Sequence, residues 1–167
     1  IQPLGPGKFK LKSELAKSGD FIKFPDHFGK SHNVKICRSY KHLGTITTKH
    51  GDPTEDVFSR TNIMMADLRK LLGTFFCKQK VDPLRKIAIA KAYLFSKGTF
   101  HSSTWPDLPP RAFTKFHHSI VQIYRACLSE TFSSKGADDF LSDSDLIDKY
   151  SLPAPATVIR MARVMLF

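Results

Sequence analysis

Val34-Lys35-Ile36-Cys37-Arg38-Ser39-Tyr40-Lys41-His42-Leu43-Gly44-Thr45-Ile46-Thr47-Thr48 is the stretch from which the rest of the fold can be read. It mixes β-branched and aromatic residues with roughly alternating polarity, which predicts two short strands bent at or near Gly44. Lys49-His50-Gly51-Asp52-Pro53 ends it with a turn. Directly after, Thr54 is positioned as an N-cap, and Glu55 and Asp56 stand where the helix dipole favours negative charge, so a helix is expected. Val57, Thr61, Met64, Leu68, Leu71 and Leu72 recur at helical spacing and give it one buried stripe, leaving Arg60, Asp67, Arg69 and Lys70 largely on other faces. Gly73 is the expected end.

Downstream the pattern stays helical. Asp82-Pro83 is an N-cap followed by proline at the first helical position, and Leu84, Ile87, Ala88, Lys91, Leu94 and Phe95 trace an amphipathic face that stops around Lys97-Gly98. A loop with Trp105-Pro106 and Pro109-Pro110 leads to a third helix. There Phe113, Phe116, Ile120, Ile123, Tyr124 and Cys127 line up as core. Ser133-Ser134-Lys135-Gly136 reads as a linker, Ser142 with Asp145 as a capping box, and Pro155 as the start of a last helix with Val158, Met161, Ala162, Met165 and Leu166 on its apolar side. Upstream, residues 1–35 are rich in Lys, Gly and Phe and predict short strands and loops. The expected fold is α+β, mostly α. It comprises a β segment over 1–52, a helical bundle over 53–131, and a linker with C-terminal helices over 132–167.

Composition bounds the function classes. The formal net charge is +11 over 167 residues, and it is unevenly spread: residues 1–127 carry 22 Lys and Arg against 9 Asp and Glu, whereas 128–167 carry 4 against 6. That excess favours a polyanion such as nucleic acid as partner over lysines that merely face water. No apolar run reaches the roughly 18 residues of a membrane span. Ile1 is preceded by no Met and followed by no secretory signal pattern, which reads as a fragment. Cys37, Cys77 and Cys127 stand far apart without C-x-x-C spacing, so they read as reduced, half-buried thiols. The seven histidines form no H-x-x-x-H pair and join no cysteine pair, so no metal site is expected.

Tyr40-Lys41-His42-Leu43-Gly44-Thr45-Ile46, followed closely by Gly51 and an acidic-start helix, resembles the Y-x-x-L-G motif of non-LTR (LINE-type) retrotransposon reverse transcriptases. In that family the motif closes the palm and forms the primer grip, and the helices behind it form the thumb. The order that follows is similar too. A helix is succeeded by one carrying Lys91, Tyr93 and Leu94 that ends near Thr104-Trp105, and then by one with Tyr124-Arg125. Gly5-Pro6-Gly7-Lys8 resembles the family's G-P-G-K-T segment, whose lysine is proposed to protonate the leaving pyrophosphate, although Phe9 stands where Thr or Ser would be. Leu152-Pro153-Ala154-Pro155 before a basic amphipathic helix looks like the tail of such elements.

The resemblance implies an RNA-directed DNA polymerase segment that grips an RNA or DNA template-primer through Lys8, Lys35, Arg38, Tyr40, Lys41, Leu43, Gly44 and Lys49. Residue chemistry allows those roles. Gly44 permits an unusual φ, Tyr40 offers a ring to sugar and backbone or else a buried strand tyrosine, and the cations neutralise phosphates or are simply solvated. Catalysis is not expected from this chain. The family needs an early palm aspartate and a Y/F-x-D-D pair to hold two metal ions, and the G-P-G-K segment is preceded here by only four residues. Mg²⁺ would belong to the missing palm, with the fingers. Asp138-Asp139 follows the thumb helices and reads as linker, and Asp143-x-Asp145 lacks the glycine of a calcium loop. No Walker loop, G-x-S-x-G or H-E-x-x-H occurs. Two other readings stay open: a stand-alone basic binding or interaction module, and a small enzyme using His117 or His118 with a nearby acid.

Overall fold

The computed structural model describes Gly19 and residues 21–48, 50–129 and 141–164. The fold is α+β and mostly helical, with two small antiparallel hairpins ahead of a helical region. The chain divides into two compact units between Asp52 and Pro53.

In the first unit β1 (Phe21–Pro25) pairs with β2 (Ser31–Lys35), and β3 (Ser39–His42) pairs with β4 (Thr45–Thr48), as two separate two-stranded sheets. The predicted bend at Gly44 is the β3–β4 turn, with Leu43 at φ 47° and Gly44 at φ 84°. Two central residues at positive φ make a two-residue connection whose twist matches the flanking strands. Val34 and Lys35, read as the start of that hairpin, belong instead to β2. None of the described residues of this unit is buried; Ile36 and Ile46 are half-buried, and Phe28 is 84% exposed.

The second unit holds the core. Helix α1 (Thr54–Leu71) begins at its expected cap residue, one residue earlier than anticipated, with Pro53 at the N-cap position. Gly73 does not end it, because the chain runs on through a π-helical turn (Leu72–Phe76). Helix α2 (Pro83–Ile89) is capped by Asp82, whose side chain accepts from the Arg85 N–H at 3.1 Å. It continues through a second π-helical stretch (Ala90–Phe95) to a final α turn (Ser96–Gly98). A 3₁₀ turn (Ser102–Thr104) precedes α3 (Pro110–Leu128). Helix α4 (Asp143–Lys149) starts at the expected box, Ser142 Oγ accepting from the Asp145 N–H at 3.2 Å and donating to its carboxylate at 2.6 Å. Helix α5 (Pro155–Val164) opens with its proline.

Core positions of α3 follow the predicted face closely: Phe116, Ile120, Ile123, Tyr124 and Cys127 are buried, while Phe113 is half-buried. Val57, Thr61, Met64 and Leu68 bury the α1 stripe as expected, and Leu72 at its end is exposed. Two charged residues assigned to the outer faces of α1 are in fact buried, Arg60 and Asp67. In the second helix the expected face is kept in part: Ile87, Leu94 and Phe95 are buried, whereas Leu84, Ala88 and Lys91 are exposed and Lys86 and Ala90 are buried in their place. Lys91 falls inside the π-helical stretch, where i→i+5 bonding widens the turn and 3.6-residue counting slips. Leu146, Leu152 and Ile159 join the same core, which draws α4 and α5 into the bundle.

Polar bonds pin these pieces together. The Trp105 indole N–H donates to Asp56 Oδ2 at 2.9 Å, and Arg60 lies 3.6 Å from the other oxygen of that carboxylate. Asp67 on α1 accepts from Lys97 in the last turn of the second helix and from Lys70 at 3.0 Å. Those two bonds, Lys97 first, hold its carboxyl below the usual carboxylate range. Tyr124 donates its hydroxyl hydrogen to the Pro153 carbonyl at 2.9 Å, and Arg125 donates to the Leu141 carbonyl at 2.9 Å and to Asp143 at 2.8 Å. The Tyr-Arg landmark of the sequence therefore faces inward and ties down the C-terminal helices.

Candidate nucleic-acid interface

The β3–β4 hairpin presents the sequence-selected residues in a defined way. Strand alternation places Tyr40 and His42 with Thr45 and Thr47 on one face, and Lys41 with Ile46 on the other. Tyr40 is 61% exposed and its ring stacks on His42 with centroids 6.0 Å apart, which removes the alternative of a buried strand tyrosine. Leu43 at the tip is 78% exposed. Hydroxyl, imidazole and ring thus line one side of a narrow ribbon, and an ammonium stands on the opposite side.

Lys35 is not part of this ribbon. It belongs to the other sheet, where the register puts it on one face with Phe21, Lys23 and Asn33, and Ile22, Phe24, His32 and Val34 on the other. Arg38 lies in the connection between the sheets, exposed. Lys8 and Lys49 lie outside the described residues. The sequence-selected cations that are described are therefore dispersed, with Lys35 on the first sheet, Arg38 in the connection and Lys41 on one face of the second sheet. The β1–β2 turn is held by Asp26, whose carboxylate accepts from the Phe28 N–H at 2.9 Å and the Lys30 N–H at 2.8 Å and bonds His32 Nε2 at 2.9 Å. The His32 bond, then the Lys30 N–H, depresses its pKa.

Sequence reasoning missed a second cationic feature, in the helical unit. Asn62, Met65 and Arg69 of α1 and Lys115, His118, Ser119 and Gln122 of α3 line a polar cleft of about 290 Å³. It runs into an apolar trough of about 490 Å³ lined in part by Leu68, Leu72, Phe76, Cys77 and Ala126. Met65, Arg69 and Gln122 border both. Positions 62, 65, 69 and 115, 118, 122 each recur at helical spacing, so both stripes were present in the sequence. Only the packing of α1 along α3 makes them one site.

Enzyme-like groupings are few. His117 Nε2 lies 3.5 Å from Asp143, but that carboxylate is also bonded by Arg125, so the pair is part of the contact holding α4. No group of three or more His, Cys, Asp or Glu among the described residues could hold a metal ion. Asp138 and Asp139 lie outside the described residues. Cys37 and Cys77 are exposed and Cys127 is buried, in place of three half-buried thiols. Among the described residues no helix is long and apolar enough to cross a membrane. Comparison with protein-family models, with curated proteins and with solved structures yields no match to this chain.

Proposed function

We propose that this chain is the primer-grip and thumb part of a non-LTR-type reverse transcriptase, gripping an RNA or DNA template-primer through backbone contacts. The observation that carries the reading is the β3–β4 hairpin. Its Tyr40 to Ile46 motif makes a tight turn on Leu43 and Gly44, offers an exposed tyrosine ring, and is followed after a short turn by a helical bundle. A short ribbon of this kind suits support of a strand end, since backbone contacts fix register without reading bases. The 22 Lys and Arg in residues 1–127 supply the long-range attraction. No F/Y-x-D-D occurs in the 167 residues, so the two-metal chemistry would reside in another part of the polymerase.

The alternative, a stand-alone basic helical module, is favoured by one observation: the second unit buries a continuous core of its own, with its C-terminal helices folded in. One set of measurements separates the two. Under the polymerase reading, the full chain binds a recessed primer-template, affinity falls by about tenfold or more between roughly 50 and 200 mM salt, and Tyr40→Ala with Lys41→Ala weakens binding at the primer end. Nucleotide incorporation with Mg²⁺ or Mn²⁺ is not expected. Undiminished binding by the double variant, with equal affinity for blunt duplex, would transfer the support to the stand-alone module.

A further inference from the structure

The trough between α1 and α3 is amphipathic along its length. One end is lined by Met65, Leu68, Leu72 and Ala126, and the adjoining end by Arg69 and Lys115. Among the described residues lining either part there is no carboxylate. None of the described lining residues offsets Arg69 and Lys115, and Arg125, which also lines the apolar part, is already held by Asp143, so an anionic group is drawn to the Arg69–Lys115 end.

The apolar end decides what kind of anion-bearing partner fits. Nucleic-acid strands held in grooves are bound by stacking bases on exposed rings. Phe76 is the aromatic residue among the described residues lining the apolar end, and it is fully buried at 0% exposure, while the ring at the polar end is the imidazole of His118. The apolar surface on offer is aliphatic. A cavity of about 490 Å³ suits side-chain anchors, and two packed helices with an apolar groove between them are the usual seat for an amphipathic helix.

We infer that the α1–α3 trough docks an acidic amphipathic helix of a partner protein, its aliphatic side chains in the Leu68–Leu72–Ala126 end and a carboxylate on Arg69 and Lys115. This goes beyond the polymerase reading and does not depend on it. The hairpin residues Tyr40 and Lys41 belong to the other unit, so peptide binding and template-primer binding are separately measurable.

Cys77 borders the trough and is exposed, which provides a reporter. In the full chain carrying Cys37→Ser it is left as the exposed thiol among the described residues. The probe is a fluorescein-labelled amphipathic peptide of about 15 residues with leucines at i, i+3 and i+7 and glutamates on one flank. Its binding is expected to slow alkylation of Cys77, and a scrambled peptide of the same composition should bind about tenfold more weakly. Arg69→Glu with Lys115→Glu, both at exposed positions, should cause a similar loss without shifting Tm, as should Ala126→Trp by filling the apolar end. Equal binding of the ordered and scrambled peptides would overturn the inference. So would protection of Cys77 by oligothymidylate in place of the peptide, or by raising the chain's own concentration, since a strand or a second copy would then be the occupant.

Discussion

Replacing Asp56 by alanine removes a partner from two buried groups at once. Asp56 is 1% exposed, Arg60 8% and Trp105 5%, and the carboxylate meets the indole N–H at 2.9 Å and the guanidinium at 3.6 Å. The Arg60 guanidinium also lies 4.6 Å over the Phe100 ring, which supplies attraction but cannot neutralise a charge. Breaking a buried pair by removing one member costs about 3–5 kcal/mol, because the remaining charge stays desolvated. Asp56→Asn keeps an acceptor for the indole and loses only the charge, so it should cost less, about 1–3 kcal/mol. Adding Arg60→Met to Asp56→Ala should restore about 1–3 kcal/mol of the loss. At about 4 °C per kcal/mol for a unit of this size, the alanine variant should melt roughly 12–20 °C lower. Urea unfolding followed by the emission of Trp105, the chain's single tryptophan, measures all three. A loss below about 1 kcal/mol for alanine, with no recovery on Arg60→Met, would refute the assignment of a desolvated pair.

Three further outcomes are expected. Burial pushes the Cys127 thiol from 9.0 up to about 12, against the opposing Lys86 charge, so its neutral form contributes stability that is complete below pH 9.0 and lost as pH rises toward 12; burial raises Tyr124 too, whose contribution is complete below pH 10.0 and lost at still higher pH, and both are to be read as alkaline unfolding and, for Cys127, as a third thiol that reacts with Ellman's reagent only on denaturation. A Cβ on Gly98 would sit 2.6 Å from Met64 Sδ, so Gly98→Ala should cost about 1–2 kcal/mol in urea unfolding and be partly rescued by Met64→Val. Leu43 at φ 47° is strained for a side chain, so Leu43→Gly should stabilise the hairpin by up to about 1 kcal/mol, seen as slower amide exchange of β3 and β4.

Elements whose start is written locally could be read from sequence. Asp82-Pro83, Ser142 with Asp145 and Pro155 each mark a helix where one is found, and Gly44 marks the turn of a hairpin, because caps and positive φ depend on one or two residues. Interactions spanning the chain were not legible. Asp56 is buried because Trp105 meets it 49 residues later, and Asp67 because Lys97 meets it 30 residues later. A charge in a window of α1 carries no sign of either. The π-helical stretches escaped for a different reason: Ala90–Phe95 is rich in good helix formers, and no local residue announces the wider turn. The same distinction holds for the candidate sites. The hairpin motif is contiguous and visible in the sequence, whereas Arg69 and Lys115 share a cleft only through the packing of two helices.

The division between Asp52 and Pro53 separates a unit without a buried described residue from one with a continuous core. Isolated two-stranded ribbons are marginal in water, while amides inside a packed bundle open only with global unfolding. Hydrogen exchange should therefore show a step in protection at that peptide. A ligand that seats on the ribbons contributes part of its binding free energy to ordering them. Its affinity would then track temperature and denaturant as a folding transition does.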